Sequence, residues 1–274
     1  MMVPAALNRD SAPERARMVR FTTDAGPRWG VILDQHVHAL QGDPFGEWET
    51  GERVCGLEAA GLLAPTVPTK VVCVGLNYAA HADESGSDVP EEPLLFLKPP
   101  SSIIGPGAAI LLPGQSERVD YEAELAVVIG RGKQGPCRNV SPGEAWEYVL
   151  GVTCGNDVTA RDLQRRDDQW TRAKGFDTFC PLGPWLVAGL HEREMSDLEI
   201  TCLVNEDERQ RARTSDMVFS PVDLIVYISS IMTLEPGDVI MTGTPEGIGP
   251  LAAGDVVEVA VEGVGRLRNP VRSA

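Results

Sequence analysis

Glycine and proline constrain this chain more than any other feature: 28 glycines and 21 prolines fall among 274 residues. Both residues interrupt long helices and mark turns. Between them lie short runs rich in valine, isoleucine and leucine, and such runs bounded by turn residues read as strands. Val19–Thr22, Trp29–Leu33 and Val37–Leu40, broken by Asp24-Ala25-Gly26-Pro27 and by Asp34-Gln35, predict a small antiparallel meander. Lys70–Gly75, Leu94–Leu97, Glu122–Ile129, Val149–Cys154, Leu198–Val204, Asp238–Thr242 and Val256–Val261 predict further strands. Helices are expected at Ser141–Leu150, where Ser141 suits the N-cap and Pro142 the first helical position, and at Pro221–Ile231. The expected fold class is mainly β with some α rather than doubly wound α/β, and no internal repeat is present.

The pattern divides the chain in three. Residues 1–17 carry no apolar periodicity and read as a flexible N-terminal extension, with Met18 an alternative start. Residues 18–68 form a small N-terminal β domain that ends in the proline-containing linker Leu62–Pro68, and residues 69–274 form the main domain. With 24 basic and 40 acidic residues the net charge is −16. Such a surface repels phosphate backbones and anionic membranes, so neither nucleic acid nor membrane is expected as a partner. No apolar run reaches the roughly 18 residues of a membrane span, and no signal core is present. Cys55, Cys73, Cys137, Cys154, Cys180 and Cys202 include no C-x-x-C pair. They read as reduced thiols of a cytoplasmic protein.

Chemistry concentrates in a few segments. In a strand, residues i and i+2 share a face, so Glu122 and Glu124 project side by side ahead of Ala126 and Val128. Two such carboxylates repel unless a hard divalent cation lies between them; the bland alternative is a solvent-facing strand end. Asp157, just past the strand Val149–Cys154, adds a third carboxylate where binding residues concentrate, although it could equally cap a helix that carries Arg161. The segment that follows brings Gln164, Arg165, Arg166, Arg172 and Lys174, a cationic run out of character for so acidic a chain. It is either a solvated loop or a loop that offers Lys174, with Gln164, to an anion. His81 and Glu84 stand at i and i+3, a spacing that lets a carboxylate orient an imidazole in a short helix, or an incidental surface pair. Gly130-Arg131-Gly132-Lys133-Gln134-Gly135 mimics a dinucleotide fingerprint, but Pro136 follows where a helix should open, so it reads as a turn. His36 and His38 lack a third ligand and read as meander residues.

The chain resembles the fumarylacetoacetate hydrolase family from about Val19 to Val271. The resemblance is carried by Val74-Gly75-Leu76-Asn77-Tyr78-Ala79-Ala80-His81, Phe96-Leu97-Lys98-Pro99, Asp120-Tyr121-Glu122-Ala123-Glu124, Asn156-Asp157-Val158-Thr159-Ala160-Arg161-Asp162, Lys174-Gly175-Phe176-Asp177 and Thr242-Gly243-Thr244-Pro245-Glu246-Gly247-Ile248-Gly249. It implies a mixed β-sandwich or roll catalytic domain with a small N-terminal β module, as in bacterial members resembling acylpyruvate hydrolases and 2-hydroxyhepta-2,4-diene-1,7-dioate isomerases. It also implies a homodimer and one Mg²⁺ or Mn²⁺ per subunit. It makes Glu122, Glu124 and Asp157 the metal ligands and His81, Glu84 and Lys174 the catalytic group. Thr244, Arg161 and Gln164 become substrate contacts. The implied substrate is a small anionic 2-oxo or diketo acid. Hydrolysis of a C–C bond in an acylpyruvate-like 2,4-diketo acid through a metal-bound enolate is the leading expectation, because His81 and Glu84 are both present. Isomerisation of an unsaturated 2-oxo diacid and decarboxylation of an oxaloacetate-like acid use the same site. A non-catalytic metal- or ligand-binding protein is the reading from another class, and it would be favoured if His81 lay far from the carboxylates. Residues around Trp170, Phe176 and Leu182 are candidates for the wall that meets the substrate's tail.

Overall fold

Alternating burial sorts the strands into packed layers. The computed structural model describes residues 15–274. The expected flexible extension therefore lies outside the described residues up to residue 14. Its last two residues are already structured: Ala16 and Arg17 open the strand Ala16–Thr23 and pair with Ala188 and Val187. A strand can begin on backbone hydrogen bonds alone, which leave no apolar period to read.

The largest sheet runs, in order, Trp48–Gly56, His36–Gly42, Gly26–Leu33, Ala16–Thr23, Cys180–Ala188, Val149–Asn156, Ala123–Ile129, Val239–Met241, Val71–Gly75 and Leu94–Lys98. Along this path only Val239–Met241 and Val71–Gly75 are parallel. A five-stranded sheet contains Asp207–Arg213, Glu199–Val204, Val256–Val261, Gly265–Ser273 and Ile110–Leu112. Ile200, Cys202, Val204, Val257, Val259 and Val261 alternate with less buried neighbours. They share one core with Leu125, Val127, Ile129, Val152 and Cys154 of the large sheet. That is a β-sandwich, each sheet contributing one apolar face. Ala126 and Val128 point the other way, into a second core with Met18, Val71, Leu186 and Met241. All of Ala123–Ile129 is buried, so polar chemistry is confined to strand ends. A third, three-stranded sheet joins Val119–Tyr121 to Thr159–Ala160 and Gly249–Pro250. It draws three distant segments to one end of the sandwich.

The expected meander forms, with a fourth strand, Trp48–Gly56. It extends the central sheet, because Ala16–Thr23 pairs with Cys180–Ala188. The expected linker also contributes, since Leu62 and Leu63 pair with Phe21 and Arg20. Cys180–Ala188 carries Pro181, Gly183 and Pro184 and so reads as a loop in sequence. The fold admits Pro184 because the register with Val149–Asn156 shifts between Val152 and Cys154, which removes the need for a ladder donor there. Asp207–Arg213 is almost wholly polar and is an edge strand. Pro221–Ile231 is helical as expected. Ser141–Leu150 is not: one α-turn, Pro142–Ala145, passes through Trp146–Tyr148 into a strand at Val149. The capping box at Ser141 and Glu144 starts a helix, and the buried β-branched run that follows ends it. Gly130–Gly135 is a turn region with no helix behind it before Pro142.

Candidate metal centre

The register of two neighbouring strands builds the site. Ala123 pairs with Asn156 and Glu124 with Gly155, which sets Asp157 beside the start of the Ala123–Ile129 strand. Glu122 lies in the break where the chain leaves Val119–Tyr121 for the large sheet. Its N–H donates to Asn156 Oδ1 at 3.0 Å and its carbonyl accepts from the Asp157 N–H at 2.9 Å. Glu122, Glu124 and Asp157 each offer a carboxylate oxygen within 4.8 Å of the others. Their exposures are 4%, 1% and 1%, which excludes the solvent-facing strand end. Nor does Asp157 cap the helix Arg161–Arg166, whose N-cap is Ala160.

Cations surround this group unevenly. Lys174 Nζ donates to Glu122 Oε2 at 2.9 Å and to Asp157 Oδ2 at 2.6 Å. Burial lowers the Lys174 pKa, but Asp157 and Glu122 outweigh it, so the amine stays an ammonium. Lys98 Nζ donates to Asp157 Oδ1 at 2.5 Å and to the Val158 carbonyl at 3.0 Å. Arg161 reaches Asp120 at 2.9 Å, as well as Glu122 Oε1 and Gln164. Burial pushes the Glu122 carboxyl up, yet Lys174, Arg161 and His81 together hold it well below the usual carboxylate range. Glu124 goes the opposite way. Burial, then Asp157 and Glu122, push it well above that range, against the Gly243 N–H at 2.8 Å and the charge of Lys174. The ionised form of Glu124 is therefore only partly offset by its neighbours. Three buried hard oxygen donors in mutual repulsion fit a hard divalent cation.

A cavity of about 310 Å³ opens on this centre. His81, Glu84, Arg161, Gln164, Lys174 and Thr244 line it together with Glu122 and Asp157, while Glu124 is not among its lining residues. The helix Ala79–Ser85, ended by the left-handed Gly86, carries His81 and Glu84. His81 Nδ1 lies 3.2 Å from Glu84 Oε2, and Glu84 Oε1 accepts the Gly247 N–H at 3.1 Å. His81 lines the same cavity as Glu122 and Asp157, so the wide separation that would favour a non-catalytic protein is not found. The cationic run after Asp157 divides: Gln164, Arg165 and Lys174 face the cavity, while Arg172 pairs with Asp167 at the surface.

Of the tail-wall candidates only Trp170 lines the cavity, edge-to-face with Phe96 at 5.2 Å. Phe176 packs on Phe179, and Leu182 is core on the large sheet. Sequence spacing cannot tell which apolar residues of a loop turn inward. Lys98, Asn77 and Gln210 also support the site, and sequence spacing alone gives them no role. A lysine closing the apolar run Leu94–Leu97 was a readable signal for Lys98. Asn77 is fully buried, and its amide ties the Thr242 and Phe219 carbonyls together. Gln210 carried no signal, because its partners arrive from segments 34 and 87 residues away.

A β-sandwich with a carboxylate triad at the ends of adjacent central strands defines a class of fold able to hold a divalent cation in front of a small cavity. This chain belongs to the fumarylacetoacetate hydrolase family: residues 70–272 match the domain described as Fumarylacetoacetate (FAA) hydrolase C-terminal, and residues 16–65 match Rv2993c-like, N-terminal. It is 43% identical to "Oxaloacetate tautomerase fahd2, mitochondrial" of Xenopus laevis, over 81% of this chain and 72% of that protein. The crystal structure of 5-carboxymethyl-2-hydroxymuconate delta-isomerase from Mycobacterium smegmatis superposes with a TM-score of 0.86 at 46% identity, covering 94% of this chain and 100% of that one. Maleylpyruvate hydrolase from Sphingobium sp. SYK-6, solved with manganese (II) and pyruvate, gives 0.77 at 29% identity, covering 94% and 99%. Members of the family are enzymes, and the reactions named for these three relatives differ. No helix of the described residues is long and apolar enough to cross a membrane.

Proposed function

We propose that this chain hydrolyses the C–C bond of an acylpyruvate-like 2,4-diketo acid, with Glu122, Glu124 and Asp157 as ligands of a Mg²⁺ or Mn²⁺ ion. The observation that carries this reading is the His81–Glu84 pair lining the same cavity as Glu122 and Asp157. Bound there, the cation supplies Lewis acidity toward the oxygens of a 2-oxo acid. The remaining work belongs to the chain. The Lys174 ammonium and the Arg161 guanidinium give an acidic protein a positive surface on which an anion can settle. Glu84 on Nδ1 selects the tautomer that leaves His81 Nε2 to accept a proton. A water gives its proton to His81, and its oxygen bonds to the distal keto carbon. The C–C bond then breaks toward the carbon that becomes the pyruvate methyl group, which takes the proton back from His81. Such a base is worth roughly 10²–10⁴-fold in rate.

A second reading is favoured by the relatives at 43% and 46% identity, a tautomerase and an isomerase. In that case His81 moves a proton between carbon and oxygen of the same 2-oxo acid and no water is consumed. One assay separates the two. An acylpyruvate series and oxaloacetate are incubated with Mg²⁺, with Mn²⁺ and with chelator. Hydrolysis releases pyruvate and a carboxylic acid in equal amounts. Keto–enol equilibration of oxaloacetate with intact acylpyruvates selects the second reading, and CO₂ release would mark a decarboxylase instead. Turnover undiminished by chelator removes the metal from all three.

A further inference from the structure

Gln210 is the one buried residue of the edge strand Asp207–Arg213. Gln210 lies opposite the buried Cys202 and so faces inward as Cys202 does; the register slips only beyond this pair, with Leu203 opposite Glu208 and Arg209 an extra, bulged residue. Its amide meets three groups. Oε1 accepts the N–H of Ala123, the residue between Glu122 and Glu124, at 2.9 Å. Nε2 donates to the Pro245 carbonyl at 2.8 Å and to Thr244 Oγ1 at 2.8 Å. A backbone N–H only donates and a carbonyl only accepts, so these two partners determine which way the amide lies. Both Nε2 hydrogens are then committed, one to Pro245 and one to Thr244. The Thr244 hydroxyl must accept from Gln210, which leaves its own hydrogen to point elsewhere. It donates to no acceptor among the described residues, and Thr244 lines the cavity. The loop cannot back away: Gly247 has φ +96°, and a Cβ there would stand 2.2 Å from the Arg209 carbonyl.

We infer that Gln210 is a positioning residue that makes Thr244 a hydrogen-bond donor into the cavity, aimed at an acceptor oxygen of the bound acid. Through Ala123 it also fixes that donor to the backbone that presents Glu122 and Glu124. The inference rests on the 2-oxo acid reading above and adds how the site selects an oxygen with lone pairs at this point. It gives Gln210, 34 residues away in sequence and out of the cavity, a part in specificity.

The test is pyruvate binding to the full chain loaded with Mn²⁺, by calorimetry, with Mn²⁺ affinity read separately by electron paramagnetic resonance. Thr244→Val removes the donor. Gln210→Glu keeps an acceptor for Ala123 but reverses the contact, so that Thr244 donates to residue 210. Each should weaken pyruvate roughly ten- to a hundredfold, the loss typical of a hydrogen bond to a charged group, while Mn²⁺ affinity holds within about threefold. Thr244→Ser should bind pyruvate within about twofold of wild type, since it keeps the hydroxyl. The double variant Thr244→Val with Gln210→Glu should bind no more weakly than Thr244→Val alone, because Gln210 acts through Thr244. Full affinity in Gln210→Glu, or losses that add in the double variant, overturns the inference. If Gln210→Glu does not fold, uncharged Gln210→Met replaces it. Freeing the hydroxyl to rotate should cost about threefold, and only when Thr244 is present; no loss, or a loss that persists beside Thr244→Val, overturns the inference equally. A wild-type chain with no affinity for pyruvate overturns the 2-oxo acid reading together with this contact. Wild-type affinity with indifferent Gln210 variants overturns this inference alone.

Discussion

Glu122 and Glu124 are two positions apart and equally buried, yet their neighbours drive them in opposite directions. Glu122 faces Lys174 and Arg161 and is held ionised, whereas Glu124 has a backbone N–H and two carboxylates for company. Glu122→Ala should therefore abolish Mn²⁺ binding and turnover together, measured by electron paramagnetic resonance and by pyruvate release. Mn²⁺ retained at wild-type affinity would dismiss the triad as a metal centre. His81→Ala should leave Mn²⁺ bound and lower hydrolysis by roughly 10²–10⁴-fold; an unchanged rate removes His81 as the base. A pH effect belongs to this scale too. Burial pushes the Cys154 thiol from 9.0 up to about 12. The folded chain thus holds this proton more tightly than the unfolded one. Its contribution to stability is complete below pH 9 and is lost as pH climbs toward 12. Urea midpoints should accordingly fall between pH 8.5 and 10.5 less in Cys154→Ala than in wild type. Parallel falls would mean that Cys154 is not responsible.

Elements were legible where one physical signal dominated. Val256–Val261 and Pro221–Ile231 appear within the bounds the sequence suggests, the first by alternation and the second by its cap. Ser220 accepts the Asp223 N–H, and the Asp223 carboxylate answers to the Ser220 N–H. Ser220→Ala should cost about 1 kcal/mol in chemical denaturation, and no loss would mean that tertiary packing alone holds this helix. Cys180–Ala188 and Asp207–Arg213 were illegible for opposite reasons. The first carries Pro184 at a register shift and Pro181 near its start, and the second is a solvated edge whose only buried residue is Gln210. The short helix bearing His81 and Glu84 was readable as an i, i+3 pair. That Glu84 also receives the Gly247 N–H, from a loop 163 residues away, was not.

At the scale of the molecule, the N-terminal meander is part of the central sheet. Ala16, Arg17 and Met18 pair with Ala188, Val187 and Leu186, and Met18 is buried in the core that also takes Ala126 and Val128. Removing residues 1–68 would strip that neighbour from Cys180–Ala188 and leave a long interior strand as an edge. Chain 69–274 alone should aggregate or lose cooperative unfolding, checked by size-exclusion chromatography and thermal melting. A monodisperse, cooperatively melting fragment would establish the two parts as independent. The net charge of −16 is likewise a property of the whole. Against it, Lys98, Arg161 and Lys174 are drawn inward to the carboxylates.

By itself the sequence determined the β class, about half of the strands, and the residues Glu122, Glu124, Asp157, His81, Glu84, Lys174 and Thr244 as one candidate constellation. Those readings depend on local periodicity and on ordered motifs, both of which survive in one dimension. Only the tertiary structure decided that Glu124 is less compensated by cations than Glu122, that Lys98 sits on Asp157, that the N-terminal strands complete the central sheet, and that Gln210 commits the Thr244 hydroxyl. Each of these is a contact between segments far apart in the chain. Charge compensation and hydrogen-bond direction depend on distance and burial, and sequence spacing carries neither.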